Sequence, residues 1–338
     1  MLPAPRPIEE IEGIDQARFR EEIRPAGRPV VLRGLASGWP AVRAARESDE
    51  ALVAYMNGFA TGRPVAAIVG PPEIGGRFYY SEDMRGLNFQ RGTSTLGALL
   101  DGLLKNRGTE RPHAVAIQSE IIPQLMPGFE RANAIDLVGA EVAPRAWIGN
   151  RIRVAPHYDL MENIGIVVAG RRRFTVFPPD QLPNLYPGPF ELTPAGTPIS
   201  LVDLEAPDLE RFPRFAEAAA HAQTATLEPG DAVYLPFHWW HAVDSLAPFN
   251  LFVNYWWNEA MPGLGGGYDA LLHAIYSLRH LPPEQRDVWK MVFDHYVFVG
   301  KEDPAAHLPP HARGILGPPT PGLFARMRAV LKEIAGKA

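Results

Sequence analysis

His157 and Asp159 stand two residues apart in the stretch 154–178, VAPHYDLMENIGIVVAGRRRFTVFP. The pattern reads as a strand carrying both, an apolar strand over 164–169, a turn at Gly170 and a third strand ending at Pro178. Residues i and i+2 of a strand point to one face, so an imidazole nitrogen and a carboxylate oxygen can converge on one point. A third donor must come from elsewhere. His238 and His241 both follow the strand-like run 232–235, and spacing alone does not choose between them. Two imidazoles and a carboxylate with open positions suit octahedral non-haem Fe(II). Closed zinc sites complete four coordination with side chains, and this chain has no cysteine. Mn, Ni and Co fit three N/O donors as well as iron does. The competing reading of His157 is structural, a strand histidine bonded to a nearby aspartate.

An iron oxygenase needs electrons from a co-substrate that also occupies the metal. A dicarboxylate such as 2-oxoglutarate would chelate at one end and need a cation, an arginine fork or a lysine, at the other. Arg171, Arg172 and Arg173 lie between two strands, and alternation turns Arg172 away from its two neighbours. Asn163 and Asn254 are polar positions in apolar strand patterns; if buried, each must be hydrogen-bonded, and a co-substrate or metal-bound water could serve. Trp240 and Trp256 are expected to wall the cavity.

The elements that position these groups read as many short strands separated by turns. Pro64 opens a strand over 64–69, and others follow at 29–35, 114–118, 146–149, 152–159, 173–177, 199–202, 224–227 and 250–257. With the donors split between early and late strands, the expectation is a mainly β fold, a closed double-stranded β-helix or jelly roll with flanking helices. Helices are expected over 15–24, capped by Asp15, over 41–56, and over 93–104, capped by Thr93 or Ser94. At 338 residues the chain exceeds one ordinary core. The division expected is 1–258, the β domain with N-terminal α/β elements, and 259–338, a helical region. Apolar helices at 268–278, 282–296 and 321–334 in that tail either pack on their own barrel or form a homodimer.

The formal net charge of −5 gives no global attraction to nucleic acid or an anionic membrane. The absence of cysteine excludes disulfides and thiolate sites, and the acidic, proline-broken stretch 1–15 is not expected to act as a signal peptide. No run approaches the roughly 18–20 apolar residues that cross a bilayer. A cytoplasmic protein is expected.

Several segments together carry a family resemblance: RPVVLRGLASGWPAV, HYD at 157–159 with ENIGIVVAGRRRFTVFPPDQLPNLYP after it, ERFPRF, and EPGDAVYLPFHWWHAVDSL through VNYWW. Across most of 20–258 the chain resembles the JmjC/cupin-like Fe(II)- and 2-oxoglutarate-dependent oxygenases, in particular the branch of the asparaginyl hydroxylase acting on hypoxia-inducible factor. The resemblance implies an iron triad of His157, Asp159 and His241, choosing His241 over His238. It places Asn163 and Asn254 beside iron and co-substrate, with Trp256 in the same region, and Arg172 where the family usually has a lysine. Two positions depart from the pattern. Val154-Ala155 replace a threonine before the HxD, and Ala116 stands where a tyrosine reaches the distal carboxylate; Tyr80 or Arg153 could compensate. The implied activity is hydroxylation of a protein side chain or a small molecule. The alternatives are a non-catalytic metal- or ligand-binding module and a metalloenzyme that uses no 2-oxoglutarate.

Overall fold

Ladder hydrogen bonds divide the strands between two sheets. The smaller has six strands, in the order Arg6–Pro7, Gln223–Leu227, Arg172–Phe177, Trp240–Ser245, Arg153–His157 and Arg77–Phe78. The larger has nine, in the order Glu9–Glu12, Val30–Arg33, Ala232–Leu235, Glu162–Ala169, Asn250–Trp257, Arg145–Gly149, Ala114–Ile121, Pro64–Gly70 and Gln90–Thr95. This computed structural model describes residues 2–261, 263–300 and 303–336. The chain divides into two units, Met1–Asn258 and Glu259–Ala338.

The expected closed jelly roll is not what forms. Each sheet is open, with a free edge at either end of its strand order, and the fold is mixed α/β. The N-terminal third explains the difference. Its strands extend the larger sheet at both ends, and they bring helices Pro40–Glu47, Asp49–Asn57 and Leu96–Asn106 with them.

Alternation sorts the central strand, Glu162–Ala169, between two cores. Ile164, Ile166 and Val168 pack with Leu52, Met56, Leu100 and Leu103 of the helices. Val167 faces the other way and packs with Phe174, Val176, Leu227 and Val243 of the smaller sheet. The two sheets therefore share an inner core while helices cover the outside of the larger one. Full burial of each such side chain contributes about 1.5–3 kcal/mol.

Local signals account for several helix starts. Asp15 accepts a hydrogen bond from the Arg18 N–H as a cap. The expected helix over 41–56 is broken in two at Ser48, which is extended and caps the second helix through the Ala51 N–H. The cap of Leu96–Asn106 is Thr95, because residues 90–95 are spent on an edge strand absent from the sequence reading. Residues 199–202 form no strand and contribute a single bridge, Pro187 with Ser200. In the second unit lie helices Gly267–Leu278, Pro283–Tyr296 and Pro321–Ala335, the last capped by Thr320. Among the described residues no helix is long and apolar enough to cross a membrane.

Candidate metal centre

His157 ends the strand Arg153–His157, and antiparallel pairing sets it directly opposite His241. The two rings lie 4.3 Å apart between centroids. His157 Nδ1 is 2.9 Å from the Ala155 carbonyl oxygen and His241 Nδ1 is 3.0 Å from that of Trp239. A carbonyl oxygen only accepts, so each Nδ1 carries the proton and each Nε2 presents a lone pair. Asp159 Oδ2 is 3.6 Å from His241 Nε2. One donor atom from each of His157, Asp159 and His241 lies within 4.8 Å of the others. Burial pushes the His157 imidazole down to about 4, with His241 adding to the fall and Asp159 opposing it. A neutral imidazole is the form that binds metal.

Asp159 reaches this cluster by a different route from the one expected. Tyr158 and Asp159 lie past the strand end and have no ladder partners. The carboxylate is fixed instead by Trp256 Nε1, which donates to Oδ2 at 3.1 Å. His238 is excluded from the donor set. Its backbone, at φ +62°, sends its N–H to the Asp159 carbonyl at 3.3 Å, and its ring stacks on Tyr158 at 4.6 Å.

The three donors open on a cavity of about 380 Å³ that Arg172, Asn163, Asn254 and Trp256 also line. Arg172 faces inward and is 5% exposed, whereas Arg171 and Arg173 are outward and paired with Glu228 and Asp244. The Arg172 guanidinium lies 4.5 Å over the Phe252 ring. Among the described residues its Nε has no hydrogen-bond partner and no carboxylate pairs with it. Burial pushes its pKa down to about 9. Gly165 makes room for this arrangement, since a Cβ there would come within 2.1 Å of the Phe252 ring. Asn254 donates to Asn163 Oδ1 at 3.1 Å and accepts from Trp147 Nε1 at 2.7 Å, so neither amide is stranded.

Some expected members lie elsewhere. Trp240 neighbours His241 on a strand and so points to the opposite face, where it is fully buried with Phe177, Leu185 and Phe215. Tyr80 packs against Ile199 outside the cavity lining, and Arg153 pairs with Asp203 and Glu205. Neither replaces the polar partners missing at Ala155 and Ala116. Trp147, Gln118, Ser119 and Arg91 line the cavity without having been singled out. Trp147 was legible by parity: Ala146 and Ile148 on either side of it belong to the outer core.

Two histidines and a carboxylate beside a buried cation, between two sheets, define a protein with an Fe(II)-type triad. A family model described as a cupin-like domain matches residues 16–262, and the chain belongs to that family. Over 114 residues it is 40% identical to HSPB1-associated protein 1 of Homo sapiens, covering 32% of this chain and 22% of that protein. It is 27% identical over 245 residues to lysine-specific demethylase 8 of Xenopus tropicalis, covering 71% of this chain and 50% of the relative. With tRNA wybutosine-synthesizing protein 5 of Gallus gallus it shares 30% identity over 148 residues, 39% of this chain and 43% of the relative. The chain thus spans between about a fifth and a half of the length of these curated relatives.

Proposed function

We propose that this protein is an Fe(II)- and 2-oxoglutarate-dependent oxygenase that hydroxylates a protein side chain or a small molecule. The observation that carries the reading is Arg172, a buried cation with no acceptor among the described residues, opening on the same cavity as His157, Asp159 and His241. Charges left unpaired in an interior are costly, and a dianionic co-substrate would relieve that cost. One carboxylate would meet Arg172 while the other end of the molecule met the metal.

His157, Asp159 and His241 would hold the iron on one side and leave the rest of its coordination to ligands in the cavity. Iron supplies the O2 and electron-transfer chemistry by which 2-oxoglutarate, O2 and a C–H bond become succinate, CO2 and a C–OH bond. Trp256 keeps Asp159 oriented, and the Trp147–Asn254–Asn163 chain fixes the polar wall opposite. The cavity confines the substrate next to the metal so that positioning replaces collision. A place in the asparaginyl-hydroxylase branch in particular is supported only by the resemblance of the segments RPVVLRGLASGWPAV, HYD with the residues after it, ERFPRF, and EPGDAVYLPFHWWHAVDSL through VNYWW.

Assembly as a homodimer through the second unit is part of the same proposal. That unit exposes Tyr276 by 69%, Met291 by 63% and Phe298 by 69%, on or beside helices in which Gly267–Leu278 and Pro283–Tyr296 bury no residue. Apolar surface of that kind would suit an association site, and a solution mass of one chain at micromolar concentration would contradict the dimer. The cysteine-free sequence suits a cytoplasmic setting.

The activity is tested by succinate release from 2-oxoglutarate. Wild-type protein should release it only with Fe(II) and O2, and His157→Ala and Asp159→Ala should each reduce it to background. Turnover that survives either substitution would contradict the assignment.

A further inference from the structure

The backbone of Asp159 poses a local problem that ladder pairing does not solve. His157 and His241 are ladder partners, so the smaller sheet fixes both backbones. Asp159 stands two residues beyond the last ladder residue. Its backbone is held by bonds to three carbonyls of the segment 156–159, supplied by two separate loops. Pro156 oxygen accepts from the Ser200 N–H at 2.7 Å, Tyr158 oxygen from Thr197 Oγ1 at 2.7 Å, and Asp159 oxygen from the His238 N–H at 3.3 Å.

Of these three donors only Thr197 is a side chain, and it is 6% exposed. The bond falls on the peptide unit joining Tyr158 to Asp159, whose plane, together with the Asp159 φ angle, sets the direction in which the Asp159 side chain leaves the backbone. The loop that carries Thr197 is itself anchored. Its ends meet at the Pro187–Ser200 bridge, Gly196 at φ +84° turns the chain just before Thr197, and Thr193 Oγ1 donates to the Thr197 carbonyl. The same loop sends Pro194, Ala195 and Ile199 to the cavity wall.

We propose that Thr197 is a positioning residue of the metal centre: its hydroxyl holds the backbone of the carboxylate ligand, which lies beyond the ladder, while Trp256 holds the carboxylate itself. The inference rests on the reading of His157, Asp159 and His241 as metal ligands. It assigns the loop at 193–199 a double part, wall of the substrate cavity and brace of the metal ligand, although no residue of that loop donates to the metal.

The test is titration of the metal-free protein with Co(II) alone, followed by its visible absorption, for wild type, Thr197→Val and Thr197→Ser. Removing a group that hydrogen-bonds a ligating side chain typically costs about tenfold or more in affinity, and loosening the backbone that carries the Asp159 carboxylate is expected to act in the same direction. Thr197→Val should bind Co(II) about tenfold more weakly with an altered spectrum, and Thr197→Ser should match wild type. A merely structural role would lower the melting temperature of metal-free Thr197→Val and leave Co(II) affinity and spectrum unchanged; that result overturns the proposal. Should Thr197→Val fail to fold, Thr197→Ala carries the comparison, and an affinity equal to wild type has the same force. A wild-type protein that binds no Co(II) overturns the metal reading and this proposal together, whereas tight wild-type binding that Thr197→Val retains overturns this proposal alone.

Discussion

The two sheets contribute to the cavity in different currencies. The smaller sheet supplies charge and metal donors: His157, His241 and Arg172 all stand on its strands. The larger supplies an exposed cation, Arg91, from its edge strand, and otherwise neutral polar groups, of which Trp147, Asn163, Asn254 and Trp256 are joined by hydrogen bonds to one another or to Asp159. The difference shows in what is satisfied. Each of those neutral side chains has a hydrogen-bond partner within the protein, whereas Arg172 Nε has none among the described residues and the guanidinium meets only the face of Phe252. On the proposed function, a wall whose neutral groups are satisfied without ligand would face a buried cation, and that asymmetry would give a bound dianion its direction.

Removing the unsatisfied charge should produce the largest effect. Arg172→Met should weaken 2-oxoglutarate binding about a hundredfold or more, measured by calorimetry with Mn(II) in place of iron, since loss of a buried charged partner costs several kcal/mol. The same variant should melt no lower than wild type when both are ligand-free, because an unpaired charge has been replaced by apolar volume. Proton linkage fixes the pH at which to look. The guanidinium pKa is lowered on folding, so the unfolded chain binds more protons between the folded value of about 9 and the ordinary one. Stability therefore rises with pH through that window, and the cost of burying the charge is complete below about 9. Melting at neutral pH compares the two proteins where the difference is greatest. A ligand-free Arg172→Met that melts well below wild type would place an unseen partner on Arg172 and erase the contrast between the walls.

A smaller effect is expected from the larger sheet. Trp256→Phe keeps the aromatic wall and removes the N–H that reaches Asp159. Metal affinity should fall by about tenfold, while 2-oxoglutarate affinity at saturating metal stays within a few-fold of wild type. A larger loss of 2-oxoglutarate affinity than of metal affinity would show that the neutral wall also reads the co-substrate.

Strand parity made much of the site legible in the sequence. Arg172 between two outward arginines is a period-2 statement, and so is the inward pair of Asn163 and Asn254. Parity also rules out Trp240 as a cavity residue, since it adjoins His241 on one strand. What parity does not carry is the partner of each strand. A run of alternating residues looks the same in an open sheet as in a closed one, so the barrel was an extrapolation that strands such as Gln90–Thr95, continuing the sheet outward, overturn. The support of Asp159 was illegible for a similar reason. Thr197 lies in a proline- and glycine-rich loop, and only the fold brings its hydroxyl to a carbonyl 39 positions earlier in the chain.

The central claim is that the three donors and Arg172 form one site holding a metal and a chelating dicarboxylate at once. Anaerobic titration of the protein with Fe(II) and then 2-oxoglutarate, followed by visible absorption, addresses it directly. A metal-to-ligand charge-transfer band that saturates at one equivalent, and is missing in His241→Ala, is the predicted result. Iron binding that yields no such band with 2-oxoglutarate, or a band that His241→Ala retains, would contradict it.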